Sequence, residues 1–199
     1  MTKRININMK FLNAGCGTHY AEGWVNTDVW EDANTKPDIR VEAGKPYPFE
    51  DDTFDAVFMG HVLEHMPWPD VPKFLSDMKR IAKPGAQFLV VGPDVFRAID
   101  RYAAGQEPAH IVKAVLEHQD MNYQPGRENE WWDGAHHHWN CHNDRVAKLL
   151  SQCGFSDIKD VFNIIPQSPQ MRGWSNEGID WPVVGFWKWQ FGILCKNSK

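Results

Sequence analysis

An apolar run, Phe11-Leu12-Asn13-Ala14, breaks on Gly15-Cys16-Gly17, and a second run, Trp24-Val25-Asn26-Thr27, ends on Asp28. Glycines at the end of a buried strand let the backbone approach a ligand. A carboxylate one strand over can accept from both hydroxyls of a ribose, so the pairing points to a nucleoside-containing ligand. Proton transfer has three candidates. Asp94 follows the apolar run that ends in Gly92-Pro93, His61 follows Met59-Gly60, and His138 closes the run His136-His137-His138. Each type can take a proton from an alcohol or phenol when held within hydrogen-bond reach. A carboxylate needs desolvation to become basic enough, whereas histidine does not. Asp133 and His142 lend the histidine run the composition of a metal site. Adjacent residues of an extended chain cannot all face one ion, however, and no metal site is expected.

Holding strand ends side by side calls for a parallel sheet. Short apolar runs at residues 9–14, 24–27, 39–42, 54–60 and 87–92, bounded by Gly and Pro, predict strands alternating with connections. Residues 69–82 predict a helix, with Pro69 in its first turn, apolar Val71, Phe74, Leu75, Met78 and Ile81 at helical spacing, and Pro84-Gly85 as the stop. Residues 95–104 and 108–118 read as two further helices. Asn143 is suited to cap a helix over 145–153 that Gly154 ends, and strands at 157–165 and 186–195 finish the chain. Only residues 18–23 lie between the glycine loop and the second strand run, and only 29–38 between the second and third. A parallel crossover takes about a dozen residues or more, so the helices after the first and second strands must be reduced. One sheet face is then thinly covered. A thin apolar face invites a partner, for which a second copy of the chain, as a homodimer, is the candidate.

Four segments in order carry a family resemblance: Leu12-Asn13-Ala14-Gly15-Cys16-Gly17; Pro48-Phe49-Glu50-Asp51 leading to Phe54-Asp55; His61-Val62-Leu63-Glu64-His65; and Lys83-Pro84-Gly85-Ala86. With them the chain resembles the small class I S-adenosylmethionine-dependent methyltransferases, well over residues 9–94 and loosely over 138–196. The resemblance implies a Rossmann-like α/β fold whose sheet is mostly parallel with an antiparallel last strand. It implies a single domain over residues 1–199, with a Trp- and His-rich, lid-like insertion at about 95–142. S-adenosyl-L-methionine is the implied cofactor. Asn13, Ala14, Gly15 and Gly17 would lie at its methionine end, Asp28 at the ribose beside Val29, and Glu42 and Ala43 at the adenine. Met59, Gly60 and His61 would line its waist. Asn13 departs from the Asp or Glu of many relatives and cannot pair with the α-ammonium group as a charge. The catalytic candidates are Asp94 at the acceptor rim, His61 beside the cofactor, and His138, where relatives often carry a histidine ahead of the last helix.

The implied activity is methyl transfer to a hydroxyl of a sugar or other small molecule, since this branch often accompanies carbohydrate-modifying genes. The alternative is a degenerate fold that binds a glycan or a protein. Methylation of nucleobase amines is disfavoured, because Met59-Gly60-His61 replaces the Asp/Asn-Pro-Pro-aromatic signature of those enzymes. Composition agrees. With 21 basic and 26 acidic residues among 199, the chain lacks the basic face that nucleic acids require. No apolar stretch approaches membrane-spanning length and residues 1–8 lack the apolar core of a signal peptide, so no membrane partner is expected. Four scattered cysteines without Cys-x-x-Cys fit a reducing cytoplasm. Trp131, Trp132, Trp139, Trp174, Trp181, Trp187 and Trp189 crowd the last third. They read either as a core of large side chains or as an aromatic-walled cleft, where sugar rings stack on indole faces.

Overall fold

The computed structural model describes residues 10–117, 137–165, 173–182 and 188–199. Nine strands are present among them: β1 (Phe11–Ala14), β2 (Val25–Asp28), β3 (Ile39–Arg40), β4 (Phe54–Gly60), β5 (Ala82–Pro93), β6 (Phe155–Asp160), β7 (Trp174–Asn176), β8 (Ile179–Trp181) and β9 (Gln190–Asn197). The helices are α1 (Val71–Ile81), α2 (Val95–Ala103), α3 (Ala109–Glu117) and α4 (Asn143–Gln152). Seven strands form one sheet in the order β3-β2-β1-β4-β5-β9-β6, parallel from β3 to β5 and antiparallel where β9 meets β5 and β6. Strands β7 and β8 form a separate hairpin. Among the described residues, no helix is long and apolar enough to cross a membrane.

Period-two alternation sorts the side chains of β4 and β5 onto two faces. Val57, Met59, Phe88 and Val90 join Leu75, Met78 and Ile81 of α1 and Val146, Leu149 and Leu150 of α4 in one core. Ala56, Phe58, Leu89 and Val91 join Trp24, Val161, Ile165, Ile179 and Trp181 in the other. No helix intervenes between β1 and β2 or between β2 and β3. The missing helical hydrogen bonds are replaced by one fully buried amide. Asn26 accepts from Ala21 N and Asn13 Nδ2, and donates to Ala21 O, Trp24 O and Asp38 Oδ2. Buried polar groups are tolerated when every valence is met in this way.

The thin face is covered by the chain itself. Trp181, fully buried, packs its ring 5.7 Å from that of Trp24, which in turn lies 5.0 Å from Phe11. The β7–β8 hairpin thus occupies the face for which a second copy was the candidate. Trp139, Trp174 and Trp189 also pack against core clusters, which is the core reading of the tryptophan-rich third. Trp131, Trp132 and Trp187, His136, and residues 118–136 of the expected lid lie outside the described residues.

Several boundaries differ from expectation: β5 already begins at Ala82 and β3 ends at Arg40. Residues 161–165 do not extend β6: Ile164 N and Ile165 N both donate to Val161 O, closing a turn that aims Val161 and Ile165 at the second core. Strand β6 is instead a charged edge, which suits an edge strand. Helix α4 is capped by the ring of His142, whose Nδ1 accepts from Arg145 N at 3.3 Å, and not by Asn143. The last strand runs over 190–197, with residue 186 outside the described residues.

Candidate active site

The carboxyl ends of β1, β2 and β4 open on a cavity of about 380 Å³, the crevice position at which such sheets bind ligands. Gly15, Cys16, Gly17, Asp28, Val29, Gly60, His61 and His65 contribute to its wall. Gly15 turns at φ +69°, and a Cβ there would lie 2.6 Å from Val62 Cγ2. Backbone geometry and a neighbouring side chain therefore demand this glycine, besides any ligand. Gly17, at φ +50°, has open space where its Cβ would be, and its N–H donates to Asp28 Oδ2 at 2.7 Å. Trp30 N donates to Asp28 Oδ1 at 2.8 Å. Each carboxylate oxygen thus takes one backbone donor and keeps a further lone pair. Burial, with the Asp28 charge, pushes the Cys16 thiol up to about 11, so it stays a neutral packing group at the cleft.

A second cavity of about 220 Å³ holds Glu42, Ala43, Gly44 and Lys45 in its wall. It shares Val29, Tyr47 and Met66 with the first, so the two are neighbours along the sheet edge. Two adjoining compartments that share Val29, one with a buried carboxylate, offer room for a nucleoside.

His61 stands at the other end of the large cavity. Its backbone is held at φ +56°, with its N–H donated to Val91 O at 2.8 Å. A non-glycine residue in this region carries a cost on the order of 1–3 kcal/mol, and such strain concentrates at functional sites. The ring, about a third exposed, lies with Nδ1 3.0 Å from Glu64 Oε1, while Nε2 meets the carboxamide of Gln190. Burial pushes the Glu64 carboxyl up, but the contact with His61 and the fields of His61, His65 and His137 outweigh it. The group is held below the ordinary carboxylate value. Glu64 joins this group without having been expected there from the sequence. Its signal was the spacing in His61-Val62-Leu63-Glu64-His65, where a turn brings residue 64 back under residue 61.

Several expected site residues do other work. Asp94 is buried and caps α2: Oδ1 accepts from Phe96 N and Arg97 N, and Oδ2 accepts from Asn143 N and lies 3.4 Å from Arg97 Nε. Both oxygens are engaged and the residue lines neither cavity, which weighs against the expectation of a base here. A carboxylate between a strand and a helix is also the sequence signature of an N-cap, and that role prevails. Asn13 donates to His19 O and Asn26 Oδ1 and lines neither cavity, so its buried amide braces the loop. Ala14 and Met59 are fully buried in the first core. His138, half-buried, donates its backbone N–H to Glu64 O at 2.8 Å and lines neither cavity. Gly15, Gly17, Asp28, Val29, Glu42, Ala43, Gly60 and His61 are the expected residues brought to the cavities.

The chain resembles known proteins. A family model described as a methyltransferase domain matches residues 17–90. Over those residues, from the glycine loop into β5, this chain resembles a methyltransferase domain. A methyltransferase from Archaeoglobus fulgidus superposes with a TM-score of 0.56 at 15% identity, over 94% of this chain and 86% of that one. One from Methanosarcina mazei gives 0.52 at 17% identity, over 94% and 91%. At these identities the likeness is one of fold. A protein of Aspergillus luteorubrus named as a probable methyltransferase, ltbC, is 54% identical over 43 residues. That match covers 21% of this chain and only 14% of the fungal protein's length.

Proposed function

We propose that this chain transfers the methyl group of S-adenosylmethionine to a hydroxyl of a sugar or other small hydroxylated acceptor. The observation that carries the reading is His61, a strained, partly exposed histidine in the wall of the cavity that also holds the glycine loop and Asp28. When bound, the cofactor supplies a sulfonium-activated methyl group. The chain's own residues bind, orient and deprotonate. Asp28 offers its free lone pairs to the ribose diol, fixed in aim by Gly17 N–H and Trp30 N–H. Val29, Glu42 and Ala43 take the adenine in the smaller compartment, and the backbone of Gly15–Gly17 leaves room for the amino-acid end. The Glu64 charge, with Oε1 3.0 Å from Nδ1, favours the His61 proton on that nitrogen, which leaves Nε2 as the acceptor's base once Gln190 gives way. Glu64 is then a positioning residue and His61 the catalytic one. Asp94 and His138 have no part in this step.

Calorimetry with S-adenosylhomocysteine and transfer of labelled methyl to a panel of hydroxylated acceptors test the proposal together. Cofactor binding with no transfer to any hydroxyl, but transfer to an amine or a carbon acid, would overturn the acceptor class and leave the cofactor site standing.

A further inference from the structure

Beside the cleft, three side chains from distant parts of the sequence converge. Glu64 and His65 come from the turn after β4, and His137 comes from the segment before α4. One ligand atom from each lies within 4.8 Å of both others. The His65 and His137 rings stand 5.0 Å apart at 70°. Glu64 and His137 are 1% and 8% exposed, while His65 is half-buried and lines the large cavity. Glu64 Oε1 is buried and accepts no well-directed hydrogen bond, although His61 Nδ1 lies nearby. A buried carboxylate oxygen in that state is costly unless something positive meets it.

We infer that Glu64, His65 and His137 form a binding site for a divalent cation of the zinc class. Two imidazoles and one carboxylate are the donor set with which zinc sites keep a position open for water or substrate. Ligand atoms around zinc at about 2.0–2.1 Å stand roughly 3.4 Å apart, so closing the site takes side-chain movement of about an ångström. The supports for that closure are in place. His138 N–H donates to Glu64 O at 2.8 Å, and Trp139 Nε1 donates to Leu63 O at 3.0 Å. These bonds strap the segment carrying His137 onto the turn carrying Glu64 and His65. His61, against the Glu64 carboxylate, stands as the outer partner that orients a ligand. With His65 in the cavity wall, the open position faces the acceptor's end of the cleft. An ion there would hold an oxygen of the acceptor, favouring acceptors with two adjacent oxygen donors that can chelate. That last statement rests on the methyltransferase reading; cation binding itself does not.

The test uses the full chain stripped with a chelator. Zinc is titrated by calorimetry, cobalt is added as a spectroscopic probe, and S-adenosylhomocysteine affinity is measured in parallel. The expected result is one equivalent of zinc, a cobalt spectrum of low-coordinate N/O ligation, and zinc binding weakened in both His65→Asn and His137→Gln. The loss should exceed the roughly 10–100-fold that removal of an outer partner costs. Folded wild-type protein that takes up neither zinc nor cobalt would overturn the inference, as would uptake that the two substitutions leave unchanged. The wild-type titrations decide even if a variant fails to fold. Unaltered binding of S-adenosylhomocysteine by the stripped protein separates loss of the cation site from loss of the cofactor reading.

Discussion

The two ends of the cleft are built by opposite means. At the cofactor end the anchors are local: Asp28 is fixed by Gly17 N–H from eleven residues away and by Trp30 N–H from two. At the acceptor end they are long-range: Trp139 Nε1 reaches back 76 residues to Leu63 O, and His61 meets Gln190 from 129 residues on. The local end rests on backbone donors that any folded copy of the loop presents. The distant end exists only once β4, β5 and β9 are paired and the segment before α4 is strapped across them. On the proposed reading, the ribose anchor is therefore set by a short stretch of chain, whereas the base is set by the assembled sheet.

Substitutions at each end should separate these properties. The largest effect is expected from His61→Ala, which should lower kcat by about 10²–10⁴-fold with S-adenosylhomocysteine affinity nearly intact. Steady-state kinetics beside calorimetry checks this, and unchanged turnover would remove His61 from the mechanism. Asp28→Ala acts on the other end. It should weaken cofactor binding by about 2–3 kcal/mol through the loss of charge-assisted hydrogen bonds. An unaltered Kd would mean that the ribose does not sit on this carboxylate.

Gly15→Val probes what the local end demands of its backbone. At φ +69°, with its Cβ 2.6 Å from Val62, the substitution should lower stability by about 1–3 kcal/mol as well as abolish binding. Chemical denaturation reads the first effect and calorimetry the second. A variant as stable as wild type would show that Val62 yields freely. The smallest effect is expected at Asp94. Asparagine caps helices about as well as aspartate, so Asp94→Asn should cost about 1 kcal/mol or less in stability and leave turnover within a few-fold of wild type. A hundredfold loss of kcat in that variant would return Asp94 to the reaction.

Much of the loop end of the large cavity was legible from residue order alone. The glycines after β1, the acid that ends β2, and the absence of room for helices before β2 and β3 are statements about neighbours in sequence, and chain geometry enforces them directly. The same holds for α1, whose buried Val71, Leu75, Met78 and Ile81 follow the helical period. The tertiary structure decided what each remaining polar side chain does. Asp94 follows a strand whether it caps a helix or faces an acceptor, and only the approach of Asn143 N–H and Arg97 engages its second oxygen. Asn13 sits in the glycine motif, yet the buried Asn26 beside it turns its amide inward. The extended run 136–138 read as unable to gather around one ion. Only the fold could bring His137 alone to Glu64 and His65, because a cluster drawn from segments far apart in the chain leaves no spacing in the sequence. Sequence thus determined what backbone periodicity and steric room dictate, while partner choice among buried polar groups waited on the packing of segments far apart along the chain.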